Sequence, residues 1–291
     1  MNSYPSGKLT DKIVNKAKSL GATVAGIACV ESLKMSPSHS IHPIIGMNLK
    51  VPWQDLDADI KPQDVIIPSE AVSAVVIGVR HNANEPELDW WDGKGTPGNR
   101  ILMRINRMLS QWIEHTFSIK TYKLPYMIEK GGIFLKDAAV LAGLGSIGSN
   151  NLVITPGYGP RIRFRALLLN REAEATGPLE FNPCKGCNQP CRKACPIKAF
   201  EKSVYSADKL GQSILPGING TYDRATCNMK MEKDIEEALM AMHVNGIDHQ
   251  GIRQAIEDFE EGIIEKPEVG ERSDYCVKYC RECELACPIG K

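Results

Sequence analysis

The sequence carries no excess of either charge, no long apolar run, no repeat and no low-complexity tract. Lys+Arg and Asp+Glu each number 35, for a formal net charge of zero. No global field therefore draws the chain to a polyanion, and a nucleic-acid partner is unsupported. Only a local basic patch such as Arg161, Arg163 and Arg165 stays open. No window approaches the ~18 unbroken apolar residues of a membrane span, so no membrane association is expected. Near Met1 there is no apolar stretch with a small-residue cleavage site, which points to a cytoplasmic protein and away from disulfides. At 291 residues and 43% hydrophobic content, the chain can bury a full core and still carry an appended domain.

What the sequence does have is ten cysteines, eight of them in two runs. The first is Cys184-Lys-Gly-Cys187-Asn-Gln-Pro-Cys191-Arg-Lys-Ala-Cys195-Pro196. The second is Cys276-Val-Lys-Tyr-Cys280-Arg-Glu-Cys283-Glu-Leu-Ala-Cys287-Pro288. A [4Fe–4S] cubane needs four thiolates at the corners of a small polyhedron, and close spacing lets one loop supply three. In two-cluster ferredoxins the Cys before Pro ligates the other cluster. Structural zinc also uses thiolates at such spacing, but it has no use for two runs each closed by Cys-Pro. The crossover predicts one cluster on Cys184, Cys187, Cys191 and Cys287. The other takes Cys195, Cys280 and Cys283, with its fourth ligand open between Cys276 and the lone Cys227. Cys29, isolated in an apolar strand, reads as a buried core thiol.

Along the chain, Thr10 caps a helix to Leu20, and Val24–Cys29 and Val72–Val79 read as strands. Residues 32–70 read as largely irregular. Ile101–Phe117 and Ile133–Leu141 read as helices and Arg161–Leu169 as another strand. The polar stretch 170–183 is the expected domain boundary, and charged helices are expected at Glu232–Val244 and Ile252–Ile263. Trp90-Trp91 is the aromatic pair expected at a pocket mouth. Between Ile133–Leu141 and Leu152 lies Ala142-Gly143-Leu144-Gly145-Ser146-Ile147-Gly148. Its glycine spacing imitates a dinucleotide fingerprint, but a helix precedes it where that motif needs a strand. The glycines suit a tight turn or a close backbone approach to a ligand.

With this segment and the cysteine runs together, the chain resembles the epoxyqueuosine reductase and reductive dehalogenase superfamily of corrinoid iron–sulfur enzymes. Ala142–Gly148 is similar to the Ala-Gly-Leu-Gly-x-Ile-Gly segment of both branches. Ile154-Thr-Pro-Gly-Tyr-Gly-Pro-Arg-Ile-Arg163 resembles the dehalogenase continuation, and Asp223-Arg-Ala-Thr-Cys227 resembles a lone-cysteine site between the runs. The resemblance implies an α/β (α+β) chain: a nitroreductase-like, corrinoid-binding domain over 1–178, then a ferredoxin-like domain with two [4Fe–4S] clusters over 179–291. It favours Cys227 as the remaining cluster ligand and puts the backbone of Gly143, Leu144, Gly145, Ser146, Ile147 and Gly148 against cobalamin. Epoxyqueuosine reductases place a proton-donating Asp thirteen residues before this segment, and here that position is Glu129. The chain departs from the family in stopping at Lys291 without a helical-repeat extension, in Ser146 and Ser149, and in lacking a twin-arginine signal. A divergent cytoplasmic member is expected.

The function implied is that of a cobalamin-dependent, anaerobic oxidoreductase. Electrons from a ferredoxin or flavodoxin would pass through the clusters to the corrinoid, which reduces a small organic substrate, with Glu129 or Tyr126 giving the proton. Two alternatives stand beside it: an electron-transfer or corrinoid-reactivating protein serving a separate corrinoid protein, and a flavin enzyme with FMN in the corrinoid's place. None of the six histidines sits in a recognisable cobalamin-ligating motif.

Overall fold

The β-branched run Ser-Ala-Val-Val-Ile-Gly-Val-Arg packs best on a pleated surface covered on both sides. It forms the inner strand β2 (Ser73–Arg80), buried up to its last residue. A computed structural model of the chain describes residues 6–40, 67–81, 96–124, 132–201, 221–244 and 279–291. In it, β2 pairs antiparallel with β1 (Val24–Cys29) and with β6 (Ile162–Leu169). The short β3 (Thr121–Lys123) adds to the far side of β6, giving the order β1-β2-β6-β3.

Period-2 alternation along β2 sends its side chains to two cores. Val75, Ile77 and Val79 face α1 (Ser6–Ser19) and α3 (Pro97–Phe117), meeting Ile13, Ala17, Leu102, Ile105 and Leu109. Ala74 and Val76 face the opposite layer, with Leu33 of α2 (Val30–Lys34) and Ala138 and Ala139 of α4 (Leu135–Leu141). The result is a mixed α/β arrangement of helices on both faces of one sheet. Thr96 caps α3, its hydroxyl accepting from the Asn99 N–H at 3.3 Å, with Pro97 in the first turn.

Two expectations change. Thr10 does not cap α1: the helix already starts at Ser6, and the Thr10 hydroxyl instead donates to the Glu174 carbonyl at 2.8 Å. Cys29 is exposed, not a core thiol, because it is the last residue of edge strand β1 and sits where the chain turns into α2. Within the stretch expected to be irregular, α2 runs to Lys34. Trp90, Trp91, Ile252–Ile263 and much of 32–70 lie outside the described residues.

Two contacts set the stage for the site. Asp137, in the first turn of α4, accepts from the Ser36 hydroxyl at 2.7 Å, the Ser38 N–H at 2.8 Å and the Ser38 hydroxyl at 2.8 Å. This ties 36–38 to the helix that leads into the glycine segment. After β6 the chain crosses back to β1, where the Thr176 N–H donates to the Ile27 carbonyl at 2.9 Å and the Ile27 N–H donates to the Thr176 hydroxyl at 2.8 Å. The Thr176 hydroxyl also donates to the Ala142 carbonyl at 2.6 Å.

Candidate functional site

The residues after the glycine segment form the dock for the second cysteine run. β4 (Ser146–Ile147) and β5 (Val153–Ile154) pair, and the turn Thr155–Gly159 follows. Gly159 (φ +63°) and Gly290 (φ +74°) interlock. A Cβ on Gly159 would strike the Ile289 carbonyl, and one on Gly290 would strike the Tyr158 backbone, so glycine is needed at both positions.

Arg161, fully buried, reaches across this contact. One guanidinium nitrogen donates to the carbonyls of Glu284 at 3.2 Å and Cys287 at 3.3 Å, and the other donates to the Ile289 carbonyl. Arg163 donates to the Tyr279 hydroxyl at 2.5 Å, and Arg165 to the Asn99 side-chain carbonyl at 2.9 Å. The three arginines considered above as a basic surface patch are thus turned inward. Arg161 and Arg165 are buried and Arg163 is half-buried, because their donors are spent on carbonyls and side chains within the chain.

Beside them, Arg281 pairs with Glu284 (Nε to Oε2 3.0 Å) and donates to Nδ1 of His81 at 2.8 Å. His81 is pushed down to about 2 by burial, with Arg281, Arg163 and Arg161 adding to the shift. It is therefore a neutral acceptor, and its 3.5 Å approach to Glu284 is no ion pair.

With the second run held in this way, four thiols converge. Cys184 and Cys187 lie on one turn, with the Cys187 N–H on the Cys184 carbonyl at 3.1 Å. Cys191 lies in the short helix α5 (Pro190–Lys193). Cys287 follows α7 (Glu282–Leu285), a helix that packs on α5. Cys184, Cys187, Cys191 and Cys287 line one pocket together with Ser149, Asn150, Ile154 and Ile289. The pocket encloses about 320 Å³, including its open mouth. Burial, then the neighbouring thiols, pushes Cys191 up, and burial likewise raises Cys287.

A second set of thiols surrounds α6 (Arg224–Val244), which begins earlier than the helix expected at Glu232 and carries Cys227 in its first turn. Cys227 feels Cys280 and Cys195. Cys283, pushed up to about 12 mainly by burial, feels Cys227, Cys280 and Cys195. Cys276 lies outside the described residues. Among the described residues no three His, Cys, Asp or Glu side chains form a group close enough to hold a metal ion as they stand. The first set lines its pocket. Thiols that resist ionisation in this way become thiolates when positive iron sits among them, so the donor chemistry fits [4Fe–4S] clusters.

Three further side chains around the second set carry no sequence motif. Asp234 accepts from the Cys280 N–H at 2.9 Å and pairs with Lys230. The Tyr222 hydroxyl donates to the Cys227 sulfur. The Lys136 ammonium lies 5.5 Å from the Tyr222 ring centre. Burial, then Arg224, pulls Lys136 down to about 8 against the opposite pull of Cys227 and Cys283.

The two residues that follow the glycine segment reach both sets. The Ser149 N–H donates to the Cys184 sulfur at 3.3 Å, and the Asn150 amide donates to the Cys283 carbonyl at 3.3 Å. The glycines themselves are packed by protein. A Cβ on Gly145 would meet the Ile154 backbone, one on Gly148 the Ile154 side chain 2.6 Å away, and one on Gly143 (φ +68°) the 176–177 backbone. The space made by their missing side chains is thus taken by protein atoms. Leu144 is buried, while Ser146 and Ile147 are half-buried. Tyr126 and Glu129 lie outside the described residues.

No family model matches the chain. Over 155 residues it is 25% identical to the epoxyqueuosine reductase of Lactococcus garvieae (strain Lg2), covering 50% of this chain and 43% of that protein. Over 175 residues it is 26% identical to that of Synechocystis sp. (strain ATCC 27184 / PCC 6803 / Kazusa), covering 57% and 58%. The chain is thus similar in sequence to epoxyqueuosine reductases. It spans about half the length of these curated relatives. In fold, it superposes on epoxyqueuosine reductase from Bacillus subtilis with a TM-score of 0.56 at 19% identity, covering 98% of this chain and 66% of that one. Another solved epoxyqueuosine reductase, at TM-score 0.49 and 20% identity over 66% and 52% of the two chains, is bound to a tRNA stem loop. The likeness in fold takes in the mixed α/β body.

Two outcomes are expected. Arg161→Met leaves three carbonyls without their donor and should destabilise the fold by about 1–3 kcal/mol or more. Iron bound after anaerobic loading should fall, because Cys287 stands in the clasped loop and Cys283 in the helix before it; full iron at unchanged melting temperature would refute the clasp. His81 contributes the second. Its folded pKa of about 2 lies below its unfolded value near 6.5, so the unfolded state binds the extra proton between them. Stability should fall as pH drops below about 6.5, and His81→Gln should flatten that slope in denaturant titrations at pH 4–7.

Proposed function

We propose that the chain is a low-potential iron–sulfur reductase holding two [4Fe–4S] clusters in a ferredoxin-like region over 179–291, behind a nitroreductase-like body over 1–178. One cluster takes Cys184, Cys187, Cys191 and Cys287, and the other takes Cys195, Cys227, Cys280 and Cys283. The observation that carries this reading is the pocket lined by the first four thiols, three from one run and one from the far end of the other. That is the crossover expected of two-cluster ferredoxins.

Cobalamin is the electron acceptor that the superfamily resemblance brings to this reading; when bound, it supplies a cobalt centre able to act as a strong reductant. The chain's own part is narrower. Ser149 and Asn150 hold the segment 143–148 against both thiol sets, Asp234 and Tyr222 orient Cys280 and Cys227, and Glu129 or Tyr126 supplies a proton to the reduced substrate. The substrate class proposed is a small organic molecule. A modified nucleoside in RNA is the second reading, carried by the epoxyqueuosine reductase relatives, and a corrinoid-reactivating electron carrier is the third.

Anaerobic loading should give about eight iron per chain, with cubane signals on reduction. The spectrum of the released cofactor then separates corrinoid, FMN and neither. Cys227→Ser should lose one cluster while Cys276→Ser keeps both; the reverse pattern moves the ligand to Cys276. Glu129→Gln should lower turnover by about 10²–10⁴ with iron content unchanged, on a small reducible substrate or on an epoxyqueuosine-bearing stem loop. A wild-type rate in that variant would remove Glu129 from the chemistry.

A further inference from the structure

Helix α4 brings a cation to the second thiol set. Lys136 sits in its first turn, half-buried. The neighbouring carboxylate, Asp137, is committed to Ser36 and Ser38. The Lys136 ammonium lies instead 5.5 Å from the ring centre of Tyr222. Phe200 stacks on the same ring, with centroids 5.6 Å apart and planes at 29°. The Tyr222 hydroxyl donates to the Cys227 sulfur, so the ammonium stands no more than ~12 Å from that sulfur. Cys227 and Cys283 are thiols whose charge opposes the downward pull of burial and Arg224 on Lys136. At the first set, the cation that Cys287 feels is a different one, Arg161.

Resting on the two-cluster reading above, we infer that Lys136 sets the reduction potential of the cluster on Cys195, Cys227, Cys280 and Cys283, with the Tyr222 hydroxyl as its partner. Each electron taken up from a one-electron reductant adds one negative charge at that site, and no bond forms or breaks. The ammonium favours the added charge by Coulomb attraction. The hydroxyl favours it by donating to a sulfur that gains electron density. At an effective dielectric of ~20, unit charges ~12 Å apart attract strongly enough to change an equilibrium about tenfold. Lys136 thereby holds the second potential up from a helix of the α/β body, although every ligand of that site lies beyond the body in sequence.

The test is an anaerobic redox titration of the loaded, full-length protein at pH 7, followed by electron paramagnetic resonance. The signal lost in Cys227→Ser identifies the second cluster. Lys136→Met keeps the stem and removes the charge. At a fixed potential it should lower the second cluster's reduced-to-oxidised ratio about tenfold, a downward shift of about 59 mV for one electron. The first cluster's potential and the iron content should not change, and Lys136→Arg should stay near wild type. Tyr222→Phe keeps the ring and should also shift the second potential downward, with Lys136→Met lowering it further in that background. Four outcomes would each overturn the role of Lys136 while leaving the clusters in place: an unmoved second potential in loaded Lys136→Met, an equal shift of both clusters, an equal shift in Lys136→Arg, or no added effect in the Tyr222→Phe background. If Lys136→Met loses the second cluster, Lys136→Gln is titrated in its place; loss in both makes Lys136 an assembly residue and overturns the inference. A wild-type chain that takes up no iron, or a Cys227→Ser variant that keeps both clusters, would overturn the cluster reading, and this inference with it.

Discussion

A single buried guanidinium holds the site together. Arg161 cannot reach water, and its two terminal nitrogens donate to the carbonyls of Glu284, Cys287 and Ile289 while its Nε is left without an acceptor. An arginine buried without such acceptors would be prohibitively costly, and carbonyls turned inward without a donor nearly so. Each side therefore fixes the other. The sheet delivers Arg161 just before β6, and that position decides where the last Cys-Pro stands relative to Cys184, Cys187 and Cys191. Arg163 and Arg281 extend the same logic to Tyr279 and His81, so the second run is seated on the α/β body by polar groups that have no other outlet.

Much of this was legible in the sequence, for identifiable reasons. β1, β2, β6 and α3 follow from period and β-branching, which depend only on near neighbours, and their observed limits lie close to those expected. The thiol runs were legible because ligand spacing is a local constraint. The arginines were not. Arg161-Ile-Arg-Phe-Arg has the form of an exposed basic face, and only tertiary contact reveals that the acceptors of Arg161 and Arg163 lie more than a hundred residues further on and those of Arg165 at Asn99 and Leu124. Cys29 was misread for a related reason: an apolar strand implies burial, but the end of an edge strand does not share it. Lys136, Tyr222 and Asp234 leave no local trace at all, since each matters through a partner distant in sequence.

The glycine segment shows how one pattern can satisfy two demands. Its spacing invites a reading in terms of a ligand, yet Gly143, Gly145 and Gly148 are each explained by a neighbouring backbone or by Ile154. What sets the segment apart is its position: the residues that follow it reach Cys184 on one run and Cys283 on the other. Its tight packing gives a rigid wall against which the thiols of both runs are held.

The gathering of thiols from both runs at one pocket also bears on how such a chain can diverge. Under the ligation proposed above, a cluster joining Cys191 to Cys287 would close a loop of roughly a hundred residues, and the entropic cost of closure grows only by about 0.6 kcal/mol for each doubling of length. Insertions or deletions between the runs would therefore change the closed loop's stability little, provided that α6 still presents Cys227 and Asp234. Selection is left free to rewrite that intervening stretch without disturbing the pocket that draws on both its ends.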